Sequence, residues 1–181
     1  MSAGQTIKLF FALCPDDRTR AALEQFSGAL HSVAGGRRAP PGRLHLTIAF
    51  LGATPSERLA ELQSIAARVR ASACELLIDQ SGYWKRNRIA WAGASSLPAE
   101  LQRLSEELRR ELDAAGFRFD AKPFVPHITL LRNAREPGQH PELSAIRWPV
   151  SSFALVHSHT DAKGLAYRVV SSWALQHNDA E

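Results

Sequence analysis

Two short stretches of the sequence carry the same pattern of residues that could do chemistry. They read His45-Leu46-Thr47-Ile48 and His127-Ile128-Thr129-Leu130, in which a histidine and a threonine alternate with aliphatic residues. Because successive side chains of a β-strand point to opposite faces, each histidine shares a face with its threonine, and the aliphatic side chains can face a core. Histidines titrate near neutral pH and can exchange protons, and threonine hydroxyls can bind phosphate oxygens. The pattern predicts a groove for acid–base chemistry on a phosphate.

A purely structural role for the two histidines is the competing interpretation, because histidines that are half-buried on strands would give the same spacing. A chance match is rarer for two copies, one in each half of the 181-residue chain, than for one, but the pattern alone leaves both interpretations open. Metal binding is the competing chemistry. His157 and His159 lie two residues apart on a predicted strand, but no His-Glu-x-x-His, Cys/His knuckle or acidic cluster accompanies the motifs. The site is therefore predicted to use neither a metal nor a cofactor, and no glycine-rich nucleotide motif is found.

Arg132 follows the second motif and could hold a phosphate through two parallel hydrogen bonds, a geometry that suits a guanidinium. Strict alternation along the strand places Arg132 on the face opposite His127, so this role requires a bulge or a twist. Without such an irregularity, the alternation favours a surface salt bridge for Arg132.

Hydrophobic periodicity, glycine and proline divide the chain into strands and helices. The predicted strands cover residues 6–14, 43–51, 74–80, 88–93, 127–132, 150–158 and 166–176, and the predicted helices cover 17–33, from 54 or 56 to about 71, and 98–115. Residues 74–94 are expected to form a hairpin with a basic turn, and residues 134–149 a loop. The stretch 35–42 is also predicted to be a loop, whose Arg37 and Arg38 are either solvated charges or reach an anionic ligand.

The composition fits one globular domain that is 45% hydrophobic and 22% charged, and the net charge of +4 is a mild bias toward anionic partners. The apolar run of residues 9–14 is too short to span a bilayer and lacks a cleavage site, so no membrane segment or signal peptide is expected. Cys14 and Cys74 lie in apolar, strand-like runs and are expected to be buried free thiols. These features predict a cytoplasmic protein.

Five segments that together extend over nearly the whole chain carry a further pattern. They are Leu9-Phe10-Phe11-Ala12-Leu13, His45-Leu46-Thr47-Ile48-Ala49-Phe50-Leu51-Gly52, Trp84…Arg88-Ile89-Ala90-Trp91, Pro123-Phe124-x-Pro126-His127-Ile128-Thr129-Leu130-Leu131-Arg132 and Tyr167…Trp173. With these segments the chain resembles the 2H phosphoesterases, specifically the bacterial and archaeal RNA 2′,3′-cyclic phosphodiesterases, also called 2′-5′ RNA ligases. The paired extended motifs make the resemblance specific.

The resemblance implies an α+β, bilobal fold with residues 1–181 as a single domain. Two pseudo-symmetric lobes would each carry an antiparallel sheet, with helices on the outer faces and both motifs in a central groove. It also implies a hydrolase that converts a terminal 2′,3′-cyclic phosphate of RNA to a 2′-phosphate without a metal.

In this reaction the family pattern assigns His45 as the proton donor to the leaving 3′ oxygen and His127 as the proton acceptor from water. The sequence itself does not fix this order. Thr47 and Thr129 would bind the phosphate, and the resemblance makes Arg132 a phosphate ligand as well.

Phe11 or Trp84 could stack on a base, and packing in the core is the alternative for each. The expected partner is RNA with a 2′,3′-cyclic phosphate end or a small nucleotide, bound by a monomer that does not associate with a membrane. Two other functions stay open. One is a nucleotide-binding module that uses the groove without turnover, and the other is reversible 2′-5′ ligation, which needs the same residues as hydrolysis.

Overall fold

The structure is a computed structural model and describes residues 5–120, 122–162 and 164–176. In this part of the chain ten strands and three helices follow one another: β1 Thr6–Leu13, α1 Asp17–Ala34, β2 Arg37–Arg38, β3 Leu46–Pro55, α2 Leu59–Arg68, β4 Cys74–Ile78, β5 Gln80–Trp84, β6 Ile89–Gly93, α3 Ala99–Ala114, β7 His127–Arg132, β8 Ile146–Val150, β9 Ser152–Asp161 and β10 Gly164–Ala174. Short 3-10 turns at Pro41–Arg43 and Ser56–Arg58 precede β3 and α2. Seven strands and all three helices agree with the sequence prediction, whereas β2, β5 and β8 lie where the sequence predicts no separate strand.

The strands form two antiparallel sheets, and the larger one has two halves. Eight strands lie in the order β10-β9-β1-β3-β7-β6-β5, with β2 paired beside β7, and β4 pairs with β8 in a separate two-stranded sheet. The two halves of the large sheet meet at a single residue pair, Leu46 with Ile128. These two residues belong to the two motifs, so each half of the sheet contributes one motif at the place where the halves join. The predicted α+β class is confirmed.

Helices cover one face of each half of the sheet. Asp16 caps α1, because its Oδ1 atom accepts a hydrogen bond of 2.7 Å from the backbone N–H of Thr19. α1 packs against β2, β7 and β8, whereas α2 packs against β10 and α3 against β3. Four leucines at helical spacing on α3 belong to the buried core: Leu101, Leu104, Leu108 and Leu112. None of the helices in the described ranges is long and apolar enough to cross a membrane.

The residues of β1 alternate between the helix-covered face and the open face of the sheet. Leu9 and Phe11 are fully buried in the main core beneath the helices. Phe10 and Ala12 point the other way and lie in a small, separate cluster with apolar residues of β9. Because the helices cover only the first face, the second face is free to form a groove.

Three sequence predictions about this sheet are wrong. The hairpin consists of β5 and β6 alone, because β4 pairs with β8. β8 begins within residues 134–149, for which the prolines predict a loop. Pro149 is compatible with this strand because a two-stranded sheet has only edges, where a missing N–H can face solvent. The third is the loop over residues 35–42, since Arg37–Arg38 forms β2 and pairs with β7.

The two cysteines are free, but they are less buried than the sequence predicts. Cys14 is exposed and Cys74 is half-buried. The prediction fails for Cys14 because this residue follows the last residue of β1 and leaves the core with the chain. Partial burial raises the pKa of the Cys74 thiol to about 11, so this thiol is protonated at neutral pH.

Candidate active site

Both motifs open into one cavity of about 260 Å³, which we call the dyad cavity after His45 and His127. His45 directly precedes β3, His127 begins β7, and the pairing of Leu46 with Ile128 holds the two motif segments side by side. The cavity is lined by six of the seven predicted site residues: His45, Thr47, His127, Thr129, Arg132 and Trp84. The structure therefore brings both histidines, both threonines and the arginine to one place.

Each imidazole is oriented by a backbone carbonyl two residues before it. Nδ1 of His45 lies 2.7 Å from the carbonyl oxygen of Arg43, and Nδ1 of His127 lies 2.9 Å from that of Val125. A carbonyl oxygen only accepts hydrogen bonds, so Nδ1 carries the hydrogen in both rings. In the neutral form of each ring, Nε2 then bears the free lone pair. Each histidine can thus exchange a proton through its own Nε2 atom.

Aromatic side chains pack against both imidazoles and restrict their rotation. The His45 ring lies 4.9 Å from the Phe10 ring and 5.3 Å from the Tyr167 ring, centroid to centroid. The Trp84 ring lies 4.5 Å from the His127 ring in an edge-to-face arrangement. These contacts and the carbonyl hydrogen bonds fix each ring before a ligand arrives.

The pKa values of both imidazoles lie below their ordinary value of about 6.5. The largest cause is burial, which disfavours the charged form of each ring. The carbonyl hydrogen bonds act in the opposite direction, and the positive charge of Arg132 lowers both pKa values further. The pKa of His45 is lowered in addition by the charges of His127 and Arg43.

A bulge in β7 explains how Arg132 reaches the cavity. Across the β6–β7 pair, Trp91 lies opposite Thr129 and Ala90 lies opposite Leu131, which leaves Leu130 as an extra residue. Leu130 and Leu131 are therefore both buried, and the alternation restarts so that Arg132 lies on the same side as the histidine and threonine. The irregularity that a phosphate-binding role for Arg132 requires is present, and the salt-bridge alternative finds no carboxylate partner among the described residues.

β3 repeats this bulge, and the repeat identifies a residue that sequence reasoning missed. Ala12 pairs with Thr47 and Phe11 with Ala49, so Ile48 is the extra residue. Phe50 is thereby turned toward the dyad cavity, at the same distance after its histidine as Arg132 is after the other one. Its side chain is 50% exposed. Two consecutive buried aliphatic residues after each threonine were the available signal for both bulges.

Phe11 and Trp84, the two aromatic residues predicted to contact a base, lie in different environments. Phe11 is 0% exposed and belongs to the core, so its predicted contact with a base is wrong, because strand alternation turns it toward the helices. Trp84 lines the dyad cavity and also an adjoining cavity of about 480 Å³. Phe50 lines both cavities as well, and Phe124 and Val125 contribute further apolar surface to the adjoining one. The groove therefore joins a polar, cationic part to an apolar part.

The competing metal interpretation gains no support from the arrangement of side chains. The rings of His157 and His159 lie 5.2 Å apart on β9. Within the described ranges, no group of three or more histidine, cysteine, aspartate or glutamate residues could hold a metal ion. No acidic side chain lines the dyad cavity in the described part of the chain, so the cavity suits an anion.

NMR titration of the two imidazoles is expected to give midpoints below pH 6.5. Addition of inorganic phosphate should raise both midpoints, because an anion stabilises the imidazolium form. Between pH 6.5 and the lowered midpoints the unfolded chain binds protons that the folded chain does not. The free energy of unfolding should therefore decrease as the pH falls below about 6.5. The variants His45→Ala and His127→Ala assign the resonances, and midpoints at or above 6.5 in the free protein would contradict the expectation.

The fold and the paired motifs define a member of a known class. The chain belongs to the 2′-5′ RNA ligase superfamily, whose family model matches residues 12–162. Among curated proteins it is 32% identical over 170 residues to the RNA 2′,3′-cyclic phosphodiesterase of Escherichia coli, covering 93% of this chain and 96% of that protein. It is 32% identical over 180 residues to the RNA 2′,3′-cyclic phosphodiesterase of Thermus thermophilus, covering 94% of this chain and 91% of the relative.

Solved structures of relatives share the whole architecture. The apo form of E. coli LigT has a TM-score of 0.85 and 30% sequence identity, covering 96% of this chain and 99% of that one. E. coli LigT complexed with 3′-AMP also has a TM-score of 0.85 and 30% identity, covering 94% of this chain and 99% of LigT. The resemblance to this family and the predicted 2H phosphoesterase fold are confirmed.

Proposed function

We propose that this protein hydrolyses 2′,3′-cyclic phosphate ends of RNA, or of small nucleotides, to 2′-phosphates without a metal. The observation that carries the proposal is the pair of imidazoles in one cationic cavity. In each imidazole Nδ1 is hydrogen-bonded to a carbonyl oxygen, and Nε2 is available for proton exchange. Relatives that are 32% identical over more than nine-tenths of this chain are named RNA 2′,3′-cyclic phosphodiesterases, which supports the same reaction here.

In the proposed reaction a water oxygen attacks the phosphorus while the bond from phosphorus to the 3′ oxygen breaks. Nε2 of His127 accepts the proton of the attacking water, and protonated His45 donates its Nε2 proton to the leaving 3′ oxygen. The products are a 2′-phosphate and a 3′-hydroxyl, and one proton has moved through each histidine. Family analogy assigns this order, with His45 as acid and His127 as base.

The residues around the dyad would stabilise the charge of the transition state. The hydroxyls of Thr47 and Thr129 are proposed to donate hydrogen bonds to the non-bridging phosphate oxygens, and the Arg132 guanidinium to balance their negative charge. The substrate anion itself favours protonation of His45, which offsets the lowering of its pKa by burial and by Arg132. Bound substrate therefore favours the charged form of the acid.

The nucleoside is proposed to lie toward the apolar part of the groove. Trp84 and Phe50 line the passage between the two cavities and offer ring faces on which a base can stack. Stacking is tolerant of base identity, so this arrangement fits an enzyme that recognises the end of an RNA rather than its sequence. E. coli LigT has been solved with 3′-AMP bound, which supports nucleotide binding in this fold. The proposal further includes action as a monomeric, cytoplasmic, single-domain protein.

Product analysis on an RNA oligonucleotide ending in a 2′,3′-cyclic phosphate tests the proposed function. In the presence of EDTA we expect complete conversion to the 2′-phosphate, at the same rate as without EDTA. A 3′-phosphate product would mean that the other phosphorus–oxygen bond breaks, which contradicts the proposed geometry. Binding without any product would instead identify a nucleotide-binding module, and loss of activity with EDTA that added Mg²⁺ restores would contradict metal independence.

A further inference from the structure

Arg37 lies beside Arg132 on the groove side of the sheet. In the pairing of β2 with β7, Arg37 is directly opposite Arg132. Directly opposite residues of an antiparallel pair project to the same face, and Arg132 lines the dyad cavity. The neighbouring Arg38 is opposite the buried Leu131 and turns the other way. The structure thus places a second guanidinium next to the predicted phosphate ligand, one strand further from β6.

The position of Arg38 supports this assignment of faces. Its Nε donates a hydrogen bond of 3.3 Å to Oγ of Ser27, and its Nη2 donates one of 2.7 Å to the carbonyl oxygen of Glu24, both on α1. Since α1 covers the opposite face of the sheet, the two arginines of β2 have different environments. Arg38 attaches β2 to α1, whereas Arg37 lies on the face of the sheet that forms the groove.

Among the described residues, no carboxylate neutralises Arg37 or Arg132. In the described part of the chain, neither guanidinium forms a hydrogen bond or an ion pair, whereas Arg58 and Arg147 are each paired with a glutamate. Like charges directly opposite each other on paired strands are destabilising. Two unneutralised arginines side by side therefore make a surface that an anion stabilises, and each guanidinium can hold a phosphate through two hydrogen bonds.

The strand that carries Arg37 is fixed in place. Gly36 has a φ of +83°, and a Cβ atom on it would lie 2.6 Å from the carbonyl oxygen of Arg132, so only glycine allows β2 to approach β7 this closely. Beyond β2, the backbone N–H of Ala39 donates a hydrogen bond of 2.8 Å to the carbonyl oxygen of Leu130. Arg37 therefore extends from an anchored backbone and not from a solvated loop.

We propose that Arg37 binds the phosphodiester next to the terminal cyclic phosphate, so that the preferred substrate is an RNA chain and not a mononucleotide. This inference rests on the proposed function, in which Arg132 holds the terminal phosphate. The two arginines then hold two successive phosphates of one strand. A mononucleoside 2′,3′-cyclic phosphate has no second phosphate and makes no use of Arg37.

The test compares two substrates that differ by one phosphodiester, a nucleoside 2′,3′-cyclic phosphate and a dinucleotide with the same end. In Arg37→Gln we expect kcat/KM for the dinucleotide to fall about tenfold more than kcat/KM for the mononucleotide, the size of effect given by one hydrogen-bonded charge. The slope of log kcat/KM against log salt concentration for the dinucleotide should also become shallower by about 0.7, which corresponds to one phosphate contact on a single strand.

Arg103→Gln is the matched control. Arg103 is exposed on α3, so its replacement removes the same charge at a position away from the groove. Both substrates should be turned over by this variant as by wild type. An equal loss on both substrates in Arg37→Gln would overturn the inference, since Arg37 would then act on the terminal phosphate, and no loss on either would overturn it as well.

A failure of the proposed function can be distinguished from a failure of this inference. If wild type turns over neither substrate, the hydrolysis proposal fails. The role of Arg37 is then tested by measuring the dissociation constants of a dinucleotide and a mononucleotide that each end in a 2′-phosphate. A selective weakening of dinucleotide binding in Arg37→Gln supports the second phosphate contact, and an unchanged ratio of the two dissociation constants overturns it.

Discussion

Replacement of either His45 or His127 by alanine is expected to lower kcat on a cyclic-phosphate substrate by a hundredfold to ten thousandfold. This range, on the order of 10²–10⁴, is what a positioned general acid or base contributes. KM should change much less, because Thr47, Thr129 and Arg132 are proposed to hold the phosphate in both variants. The double variant should be only slightly less active than the less active of the two single variants, since both histidines act in the same step.

His157→Ala is the matched control for these variants. His157 is a half-buried histidine on β9 that does not line the dyad cavity, so its replacement removes an imidazole without touching the proposed site. Thermal unfolding of all variants shows whether the fold is retained. A folded His45→Ala or His127→Ala protein with the activity of wild type would contradict the role of the dyad.

The residual activity of the two variants also tests their order in the reaction. With a base and an acid that need opposite protonation states, the profile of kcat/KM against pH in wild type should be bell-shaped. If His127 is the base, His127→Ala should lose the decline at low pH, because no group then has to be deprotonated. His45→Ala should lose the decline at high pH, and the reverse result would exchange the two roles.

The positions of the histidines and threonines could be predicted because strand alternation is a local rule. The alternation in His45-Leu46-Thr47 and His127-Ile128-Thr129 holds in the structure, and the aliphatic residues between them are buried. Helix α3 could be predicted for a similar reason, since four leucines at helical spacing form a stripe that must be covered. In both cases the pattern lies within a single strand or helix.

The parts that could not be predicted depend on contacts between segments distant in the sequence. Two aliphatic residues in a row allow a bulge at Leu130, but only the pairing with β6 forms it. β4 pairs with β8 and not with the hairpin that follows it. Arg37 comes to lie opposite Arg132 only because β2 pairs with β7. Phe11 shows the limit of residue type as a guide: it is an aromatic residue of a strand next to the site, yet one pleat turns it into the core.

Arg132→Gln is expected to lower kcat/KM by about a hundredfold or more, because one donor that stabilises transition-state charge contributes on the order of 10²–10³ in rate. Arg132→Lys should recover only part of the loss, since an ammonium group keeps the charge but not the two parallel hydrogen bonds. Arg135→Gln serves as the control, because Arg135 is exposed three residues further along and does not line the dyad cavity.

The same substitution should also shift the dependence on pH, and the sign of the shift is fixed by the charge. Arg132 lowers the pKa of both His45 and His127, so removal of its charge raises both values. The optimum of kcat/KM should therefore move to higher pH in Arg132→Gln and stay near the wild-type position in Arg132→Lys. If the bulge at Leu130 only turned Arg132 into solvent, Arg132→Gln would keep both the rate and the pH optimum of wild type. That result would mean that Arg132 acts neither on the pKa values of the dyad nor on the phosphate, and that the two threonines bind the phosphate without it.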